Sequence, residues 1–443
     1  MSDNKQSDRT ITIAWGGDVN IGRRFHYRFG TANARNALSR IKPLVEADLG
    51  IVNLECVVAT SGMECVDKGE RASYYFRARP EMIDTLICGG VDIVATANNH
   101  SGDYGPDALV EQGEWLDAAG IGHAGSGRTR AEAFQPVFRR AGGLDIAFFA
   151  LDATQKSFAA GEDTPGTAWL DPKRPQEWAE IMAPLIIEAR KRADIVLVAM
   201  HWGANNLHQP DTAEIAGGHA LIDAGADAVL GASAHLLQGI EIYKNRPILH
   251  DAGDLLFDAL TRPDKDSGIF TLEMDHRGVT GVRFLPLEVG FCRTLPLTPE
   301  AAAEALSKFS KKCLALGTKC ESTREGEAYV KLSPPRRARL PARPAPTLPT
   351  AGPISALRKA RPEWLADEVP ADARLAEPLR IGPMELLGLR VSPEHLNRIG
   401  LISVESWWRV PDAVDCDWRI DFRAEPAKPG PVGAWGLGCS HDP

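Results

Sequence analysis

The chain has 443 residues, of which 44% are hydrophobic and 25% are charged, the balance of a folded globular protein. This length predicts two or three domains, and the composition excludes a disulfide miniprotein, a collagen-like repeat and global disorder. A formal net charge of −9 argues against a nucleic-acid partner, because nucleic-acid-binding proteins carry a basic surface.

The N-terminal segment, MSDNKQSDRT, is polar and leads directly into a strand-like run. It contains no apolar core of signal-peptide length, and no later segment approaches the roughly 18 apolar residues that span a bilayer. The eight cysteines include no CxxC pair. We therefore expect a cytoplasmic protein without a membrane anchor, in which the thiols are reduced.

Up to about residue 325, short apolar runs alternate with longer amphipathic segments. The apolar runs are mostly continuous, which is typical of strands buried on both faces. In chain order they are TITIAWGG, ADLGIVNLE, VDIVATAN, LDIAFFALD, ADIVLVAMHW, ADAVLGAS and RPILHDAGDLLF. The segments between them that predict helices are 32–46, 80–89, 106–119, 175–193 and 211–224. This alternation predicts an α/β layered domain over residues 8–325, with helices flanking the sheet.

Two later strand-like runs, SGIFTLEMD and GVTGVRFLPLEV, have no helix between them and predict an antiparallel hairpin at one edge of the sheet. Residues 333–353 contain seven prolines and four arginines and predict a stiff, solvated linker. Residues 375–443 predict a small β-rich domain, which is either complete or truncated at its end. Five of the ten tryptophans lie between Trp364 and Trp435; they fill the core of this domain or, alternatively, stack on a flat ligand.

Polar residues follow six of the predicted strands in the α/β domain. The motifs at these strand ends are GGDVN (16–20), NLE (53–55), NNHSGDYG (98–105), HWG (201–203), SAH (233–235) and GD (253–254). In open α/β sheets ligands bind at the carboxyl edge, so we expect these side chains to meet there. The alternative is that they only satisfy hydrogen bonds within a soluble domain.

These residue types suit divalent Mn, Zn or Fe, which bind carboxylate oxygen, amide oxygen and neutral imidazole. The sequence therefore predicts a site for one or two such ions. The candidate ligands are Asp18, Glu55, Asn99, His201 and His235, and the candidate proton donor to the leaving group is His100. Arg23 and Arg24 are candidates for contact with an anionic substrate, with solvent exposure as the alternative.

Six segments resemble the CapA family of poly-γ-glutamate capsule proteins in order, spacing and flanking residues, over about residues 10–290. They are GGDVNIGR, VNLE, ATANNHSGDYG, AMHWGAN, GADAVLGASAHLLQGIEIY and LHDAGDLLFD. The family is related in fold to the calcineurin-like metallophosphoesterases, so the resemblance implies a metallophosphoesterase-like β-sheet domain. It also implies a metal-dependent hydrolase of a phosphoester or amide bond, acting on a small or polymeric anionic substrate. The alternative is a non-catalytic or accessory role in making a polymer such as poly-γ-glutamate.

The resemblance also assigns roles to individual residues. It implies that Asp18 is the first metal ligand, that Glu55 bridges two metals, and that Asn99 or its neighbour Asn98 is a ligand of the second metal. It makes His100 the catalytic histidine, which acts together with Asp18 and Glu55. The metal shell is then completed by His201 and His235.

The chain departs from the family pattern at two positions. Where the family has Gly-His-His-Pro-His, this chain has Ser233 in place of one histidine, which removes an imidazole from the second metal. Where the family has Gly-Asn-Phe, this chain has Asp254, an acid that can ligate a metal as well as an amide oxygen can. We expect a rebuilt metal site with Asp254 as an added ligand; the alternative is a degenerate binding pocket.

Overall fold

Two β-sheets form the larger part of the structure, which is a computed structural model. It describes residues 10–23, 25, 37–62, 68–69, 73–258, 266–323, 325–334, 369–381, 384–392 and 403–409. The chain divides into two compact units, residues 1–68 with 74–356, and residues 69–73 with 357–443. No helix in the described ranges is long and apolar enough to cross a membrane.

The strands of the first unit are numbered in chain order. They are β1 (Ile11–Val19), β2 (Leu49–Leu54), β3 (Val57–Val58), β4 (Arg77–Ala78), β5 (Ile93–Ala95), β6 (Gly122–Ala124), β7 (Ser126–Gly127), β8 (Val137–Ala141), β9 (Leu144–Asp152), β10 (Gly166–Thr167), β11 (Ile195–His201), β12 (Ala228–Ala232), β13 (Ile240–Tyr243), β14 (Arg246–Leu249), β15 (Asp254–Leu256), β16 (Ser267–Asp275), β17 (Gly278–Gly290), β18 (Arg293–Pro296), β19 (Glu321–Ser322) and β20 (Ala328–Lys331).

The α-helices of this unit include three that match predicted segments almost throughout. Among the described residues the α-helices are α1 (Lys42–Val45), α2 (Ile83–Cys88), α3 (Gly105–Ala118), α4 (Arg130–Ala133), α5 (Trp178–Arg190), α6 (Thr212–Asp223) and α7 (Pro299–Ala315). Short 3₁₀ turns precede α2 and α5. The predicted helix over 32–46 is wrong over residues 37–41, where the chain forms a bend and a turn, and only Lys42–Val45 are helical; residues 32–36 lie outside the described ranges.

Sheet one runs in the order β19-β20-β17-β16-β1-β2-β5-β6, with β15 also paired to β1 and β18 to β17. Sheet two runs β13-β14-β12-β11-β9-β8. The strands that carry the candidate site are parallel within each sheet: β15, β1, β2 and β5 in the first, and β9, β11 and β12 in the second. Their carboxyl ends therefore lie at a common edge of each sheet.

The core explains why the apolar runs are continuous. Along β9, Ile146 and Phe148 face a cluster that both sheets share, whereas Phe149 and Leu151 face a second cluster with α5 and α6. Both faces of sheet two are thus covered, and nearly every position along such a strand is apolar. The two sheets also share a buried hydrogen bond, from Trp15 Nε1 to the carbonyl of Gly231 at 3.1 Å.

The α/β layered class predicted from sequence is confirmed, with two sheets instead of the single sheet that the strand pattern suggested. The predicted hairpin is present as β16 and β17, although β20 and β19 extend the sheet beyond it. The run RPILHDAGDLLF contains two strands, since β14 belongs to sheet two and β15 to sheet one.

The second unit contains a three-stranded antiparallel sheet. Its strands are β21 (Arg374–Ile381), β22 (Met384–Ser392) and β23 (Ser403–Arg409), in that order. The predicted linker lies outside the described residues except for its first two positions, and so does the chain after Arg409. The domain boundaries 8–325, 333–353 and 375–443, and the role of the tryptophans, remain predictions.

Candidate metal centre

Two buried acids lie side by side where β1 meets β15. The parallel register of these strands places Asp18 opposite Asp254. The backbones approach closely because Gly17 adopts φ +69°, and a Cβ at this position would lie 2.4 Å from the carbonyl of Gly253. On the other side of β1, β2 places Asn53 opposite Asp18, and Asn53 Nδ2 donates to Asp18 Oδ1 at 2.7 Å. Strand pairing thus gathers two carboxylates and one amide.

The turn after β12 brings His235 to the two acids from sheet two. Its backbone is strained, with Ser233 at φ 118° and His235 at φ 57°, both in the region that non-glycine residues rarely adopt. The backbone N–H of Ser233 donates to Asp18 Oδ2 at 3.2 Å. His235 Nδ1 lies 2.8 Å from Asp254 Oδ1 and 3.5 Å from Asp18 Oδ2. The strained turn therefore directs one imidazole at both carboxylates.

Glu55 is the third buried acid of the centre. Neither of its carboxylate oxygens has a hydrogen-bond partner among the residues that the structure describes. Its Oε1 lies 3.7 Å from His235 Nε2 and 3.9 Å from His100 Nε2, both too long for a good hydrogen bond. A carboxylate buried in this way requires a positive partner, because an unpaired buried charge is strongly destabilising.

The electrostatics of the centre show how concentrated its negative charge is. Burial, followed by the charge of Asp18, raises the pKa of Glu55 well above its usual value. Burial also raises the pKa of Asp18 to about 6. Burial opposes protonation of His235, but Glu55, Asp254 and Asp18 outweigh it and raise the His235 pKa to about 10. A protonated imidazole therefore balances part of the charge of three carboxylates.

This donor set fits a divalent metal ion. One donor atom each from Asp18, His235 and Asp254 lies within 4.8 Å of the other two. Carboxylate oxygen and imidazole nitrogen are the ligands that Zn²⁺ and Mn²⁺ take in proteins. Glu55 is outside this group, and its unsatisfied carboxylate lies beside the other ring nitrogen of His235, with Oε1 3.7 Å from Nε2. Asp18, His235 and Asp254 would hold the ion in place of the proton on His235.

The two asparagines of the NNH motif have different surroundings. Asn98 is buried, and its Nδ2 donates to Asn53 Oδ1 at 3.1 Å and to the carbonyl of Leu54 at 2.9 Å. Asn99 instead places its Oδ1 3.0 Å from His201 Nε2. His201 Nδ1 lies 3.2 Å from Asn53 Nδ2, and burial holds the His201 pKa well below its usual value. Asn99 and a neutral His201 thus form a second pair of candidate metal ligands. Asn53 contacts both His201 and Asp18 and so connects this pair to the first group of ligands.

His100 is buried, and its Nε2 lies 3.9 Å from Glu55 Oε1. Its Nδ1 donates to Asp103 Oδ2 at 2.6 Å, since a carboxylate can only accept, and its ring stacks on Phe76 at 3.7 Å between centroids. Burial lowers the His100 pKa to about 4, although Asp103 opposes this. The neutral ring therefore directs the lone pair of Nε2 towards Glu55. The role of His100 as proton donor to the leaving group stays a prediction.

Of the two candidate arginines, Arg23 lies at the rim of the centre. Its guanidinium lies 4.6 Å from the Phe76 ring centroid, and its Nε pairs with Asp258 Oδ2 at 3.1 Å. Arg24 lies outside the described residues. The structure therefore brings together Asp18, Glu55, His235 and Asp254 beside His100, and the Asn99–His201 pair adjoins them. Sequence reasoning did not select Asn53, Asp103 or Phe76, although Asn53 stands in the same strand-end motif as Glu55.

We expect the metal-free protein to lose stability between pH 6.5 and 9. A group whose pKa is raised on folding stabilises the fold below its unfolded pKa, and this contribution is lost as the pH rises towards the folded value. For His235 that window runs from 6.5 to about 10. The loss amounts to about 1.4 kcal/mol per pH unit for each proton retained. His100 and His201, whose pKa values are lowered, have already made their full contribution above pH 6.5.

Thermal unfolding in chelator, measured across pH 6.5–9, checks this expectation. Zn²⁺ or Mn²⁺ should replace the proton on His235, so the stabilisation by metal should grow with pH. A metal-free melting temperature that rises over this range would contradict the charge distribution described above.

Comparison with known proteins gives evidence on the family of this chain that is independent of the structure. The family model described as "Bacterial capsule synthesis protein PGA_cap" matches residues 12–259, which include every residue of the centre. The chain is 27% identical over 303 residues to the "PGA biosynthesis protein CapA" of Bacillus subtilis, covering 67% of this chain and 76% of that protein. It is 23% identical over 299 residues to the "Capsule biosynthesis protein CapA" of Bacillus anthracis, covering 66% of this chain and 71% of that protein.

A third relative is a "Probable polyglutamine synthesis accessory protein" of Mycobacterium tuberculosis, 31% identical over 218 residues. That match covers 48% of this chain and 56% of the relative. Among solved structures, the TT1561 protein of Thermus thermophilus is similar over 61% of this chain and 100% of its own, with 9% identity and a TM-score of 0.34.

Proposed function

Because the chain belongs to the bacterial capsule synthesis protein PGA_cap family, we propose that it is a metal-dependent hydrolase of the metallophosphoesterase type. The reaction proposed is hydrolysis of a phosphoester or amide bond in an anionic substrate. The observation that carries the proposal is the unsatisfied carboxylate of Glu55, which is buried between His235 and His100. Such a group has no role in stabilising the fold, because its burial without a hydrogen bond costs stability.

The residues of the centre would have different roles in hydrolysis. A bound divalent ion would supply Lewis acidity and a water activated near neutral pH. Asp18, Asp254 and His235 would hold that ion, with Glu55 as a proposed further ligand, and Asn99 with His201 would hold a second ion if one binds. His100 Nε2 faces the same space and exchanges a proton with the reacting groups. At the rim, Arg23 would attract the negative charge of the substrate.

We expect hydrolysis to require metal. The protein is to be treated with excess chelator, desalted and supplied with Mn²⁺ or Zn²⁺. It is then assayed with bis(p-nitrophenyl) phosphate for phosphoesters and with poly-γ-glutamate for amides, by release of free amine. Chelation should lower the rate by about a hundredfold or more, since a metal contributes several kcal/mol of transition-state stabilisation. Restoring the ion should restore the rate.

Metal analysis of the same samples gives the number of ions. One equivalent indicates the Asp18, His235 and Asp254 group alone, and two equivalents indicate that Asn99 and His201 also bind. Less than one equivalent in protein supplied with metal, together with a rate that neither chelator nor metal alters, would contradict the proposal.

A second candidate function is a non-catalytic role in handling an anionic polymer. It is favoured by the names of the relatives, which refer to capsule or PGA biosynthesis and to polyglutamine synthesis. Titration with poly-γ-glutamate at low salt distinguishes the two candidates. Binding without cleavage of either substrate would favour the accessory role, whereas metal-dependent cleavage would favour the hydrolase.

A further inference from the structure

A buried lysine lies behind the histidine of the centre. The side chain of Lys68 is 1% exposed, and its Nζ pairs with Asp103 Oδ1 at 2.7 Å. The same Nζ donates to the carbonyl of Tyr74 at 3.0 Å and lies 3.3 Å from His100 Nδ1. The lysine backbone is held as well, since Gln155 Nε2 donates to its carbonyl at 3.3 Å.

Asp103 stands between the lysine and the histidine, and each of its oxygens has its own partner. Oδ1 faces the Lys68 ammonium, whereas Oδ2 accepts from His100 Nδ1 and from the backbone N–H of Phe76, both at 2.6 Å. The carboxylate is fully buried. The lysine and the Phe76 amide therefore fix the plane of the carboxylate, and the carboxylate fixes His100.

The chemistry of the three groups leaves one proton arrangement on His100. An ammonium can only donate and a carboxylate can only accept, so the short contact to Asp103 requires a proton on Nδ1. Nε2 is then the nitrogen that faces Glu55, at 3.9 Å from Oε1. If Asp103 were absent, Lys68 would be the remaining donor near Nδ1, and it would favour the opposite tautomer with the proton on Nε2.

Stability alone does not account for this arrangement. A buried ion pair is often no more stabilising than an apolar pair of the same volume, because both charges lose their hydration. The pair also contacts the imidazole that faces the centre, where a change of tautomer would remove the lone pair from the reacting side. A role in orienting His100 explains both why the Lys68–Asp103 pair is buried and why it lies beside this histidine.

We propose that Lys68 is a positioning residue that acts through Asp103 to fix the orientation and tautomer of His100. This inference rests on the proposed function, since it concerns the histidine of that site. It assigns a role to a residue outside the strand-end motifs, on a different segment of the chain from His100.

The first measurement is spectroscopic and needs no substrate. In ¹⁵N-labelled, Zn²⁺-loaded full-length protein, the Nδ1–H of His100 should give a slowly exchanging low-field proton signal, assigned by its loss in His100→Gln. Asp103→Leu should abolish that signal, and Lys68→Met should move it upfield. Lys68→Arg, which keeps the charge, should retain it and serves if the methionine variant does not fold. Lys244→Met, which removes an exposed ion pair to Asp223, is the matched control.

The second measurement is kinetic and tests the route of the effect. Lys68→Met should lower kcat by about tenfold to a hundredfold with little change in KM, as for loss of a partner that orients a functional histidine. In the Asp103→Leu background the same change should have no further effect, because residues that act through one another are not additive. The Lys244→Met control should stay within about twofold of wild type.

The results separate this inference from the proposed function. A low-field signal that depends on Lys68 supports the positioning role even if the protein cleaves neither substrate. Metal-dependent hydrolysis with an unchanged signal and an unchanged kcat in Lys68→Met would overturn the positioning role and leave the proposed function in place. Absence of the low-field signal from the wild-type protein would overturn it as well.

Discussion

Glu55→Gln is expected to lower the rate of hydrolysis by about a thousandfold, which corresponds to roughly 4 kcal/mol of transition-state stabilisation. The substitution keeps the size and shape of the side chain but removes its charge. Glu55 lies within 4 Å of both His235 and His100, so the loss affects the metal and the proton-transfer group together. Steady-state rates in saturating Mn²⁺, with metal analysis of the same sample, measure this effect.

The same substitution should have the opposite effect on the metal-free fold. Glu55 has no hydrogen-bond partner among the described residues, and its pKa is raised by burial and by Asp18. Removing the charge should therefore stabilise the metal-free protein by about 1–3 kcal/mol, because the amide avoids the desolvation of a buried charge and its repulsion from Asp18. Glu114→Gln, at an exposed acid paired with Arg128, is the matched control and should change neither quantity. A Glu55→Gln protein that binds metal and turns over like wild type would rule out Glu55 as a ligand.

The fold was predictable where one pattern determined one element. Along β9 the run from Leu144 to Asp152 is apolar at nearly every position, and the strand is covered on both faces as this pattern predicts. The division into two sheets was not predictable, because β14 and β15 share one apolar run that contains no helix. Only the tertiary pairing, β14 with β12 and β15 with β1, separates them.

The site was predictable where its residues follow strands. Asp18, Glu55, His201 and His235 lie at or just after the ends of parallel strands, and strand ends converge for topological reasons. The role of Asn53 depends on the register between β1 and β2, which no local pattern specifies. Lys68 belongs to no described helix or strand, so no periodic pattern in the sequence indicates its contact with His100.

Ser233, which replaces a histidine of the family pattern, has a structural role that the sequence alone does not show. Ser233 adopts φ 118° and uses its backbone N–H, not its side chain, to bind Asp18. The next residue, Ala234, donates its N–H to Asp251 Oδ2 at 2.7 Å. The turn thus contributes two backbone N–H donors and the imidazole of His235. From the sequence alone, only the loss of one histidine is evident. Asp254, the other departure, lies opposite Asp18, and its role as an added metal ligand stays a prediction.

His235→Asn should destabilise the metal-free protein by about 3–5 kcal/mol at pH 7, the cost of leaving buried charges without their partner. The asparagine amide can still donate near the position of Nδ1, so the hydrogen bond to Asp254 is retained while the positive charge is lost. Asp18 and Glu55 then remain buried without a counter-charge. The fall in stability between pH 6.5 and 9 should lose the part that His235 contributes, whereas Glu55, whose pKa is also raised, should still contribute to it.

The stability changes of His235→Asn and Glu55→Gln should therefore have opposite signs, while both variants lose metal and activity. Denaturant unfolding in chelator measures the first property, and metal titration measures the second. His123→Asn, at a histidine that pairs with the exposed Asp117, is the matched control and should leave both unchanged. Equal destabilisation by the two variants would mean that their effect is packing alone. Stability changes of opposite sign would mean that the imidazole of His235 is the counter-charge of the acids. A metal ion would replace it in that role.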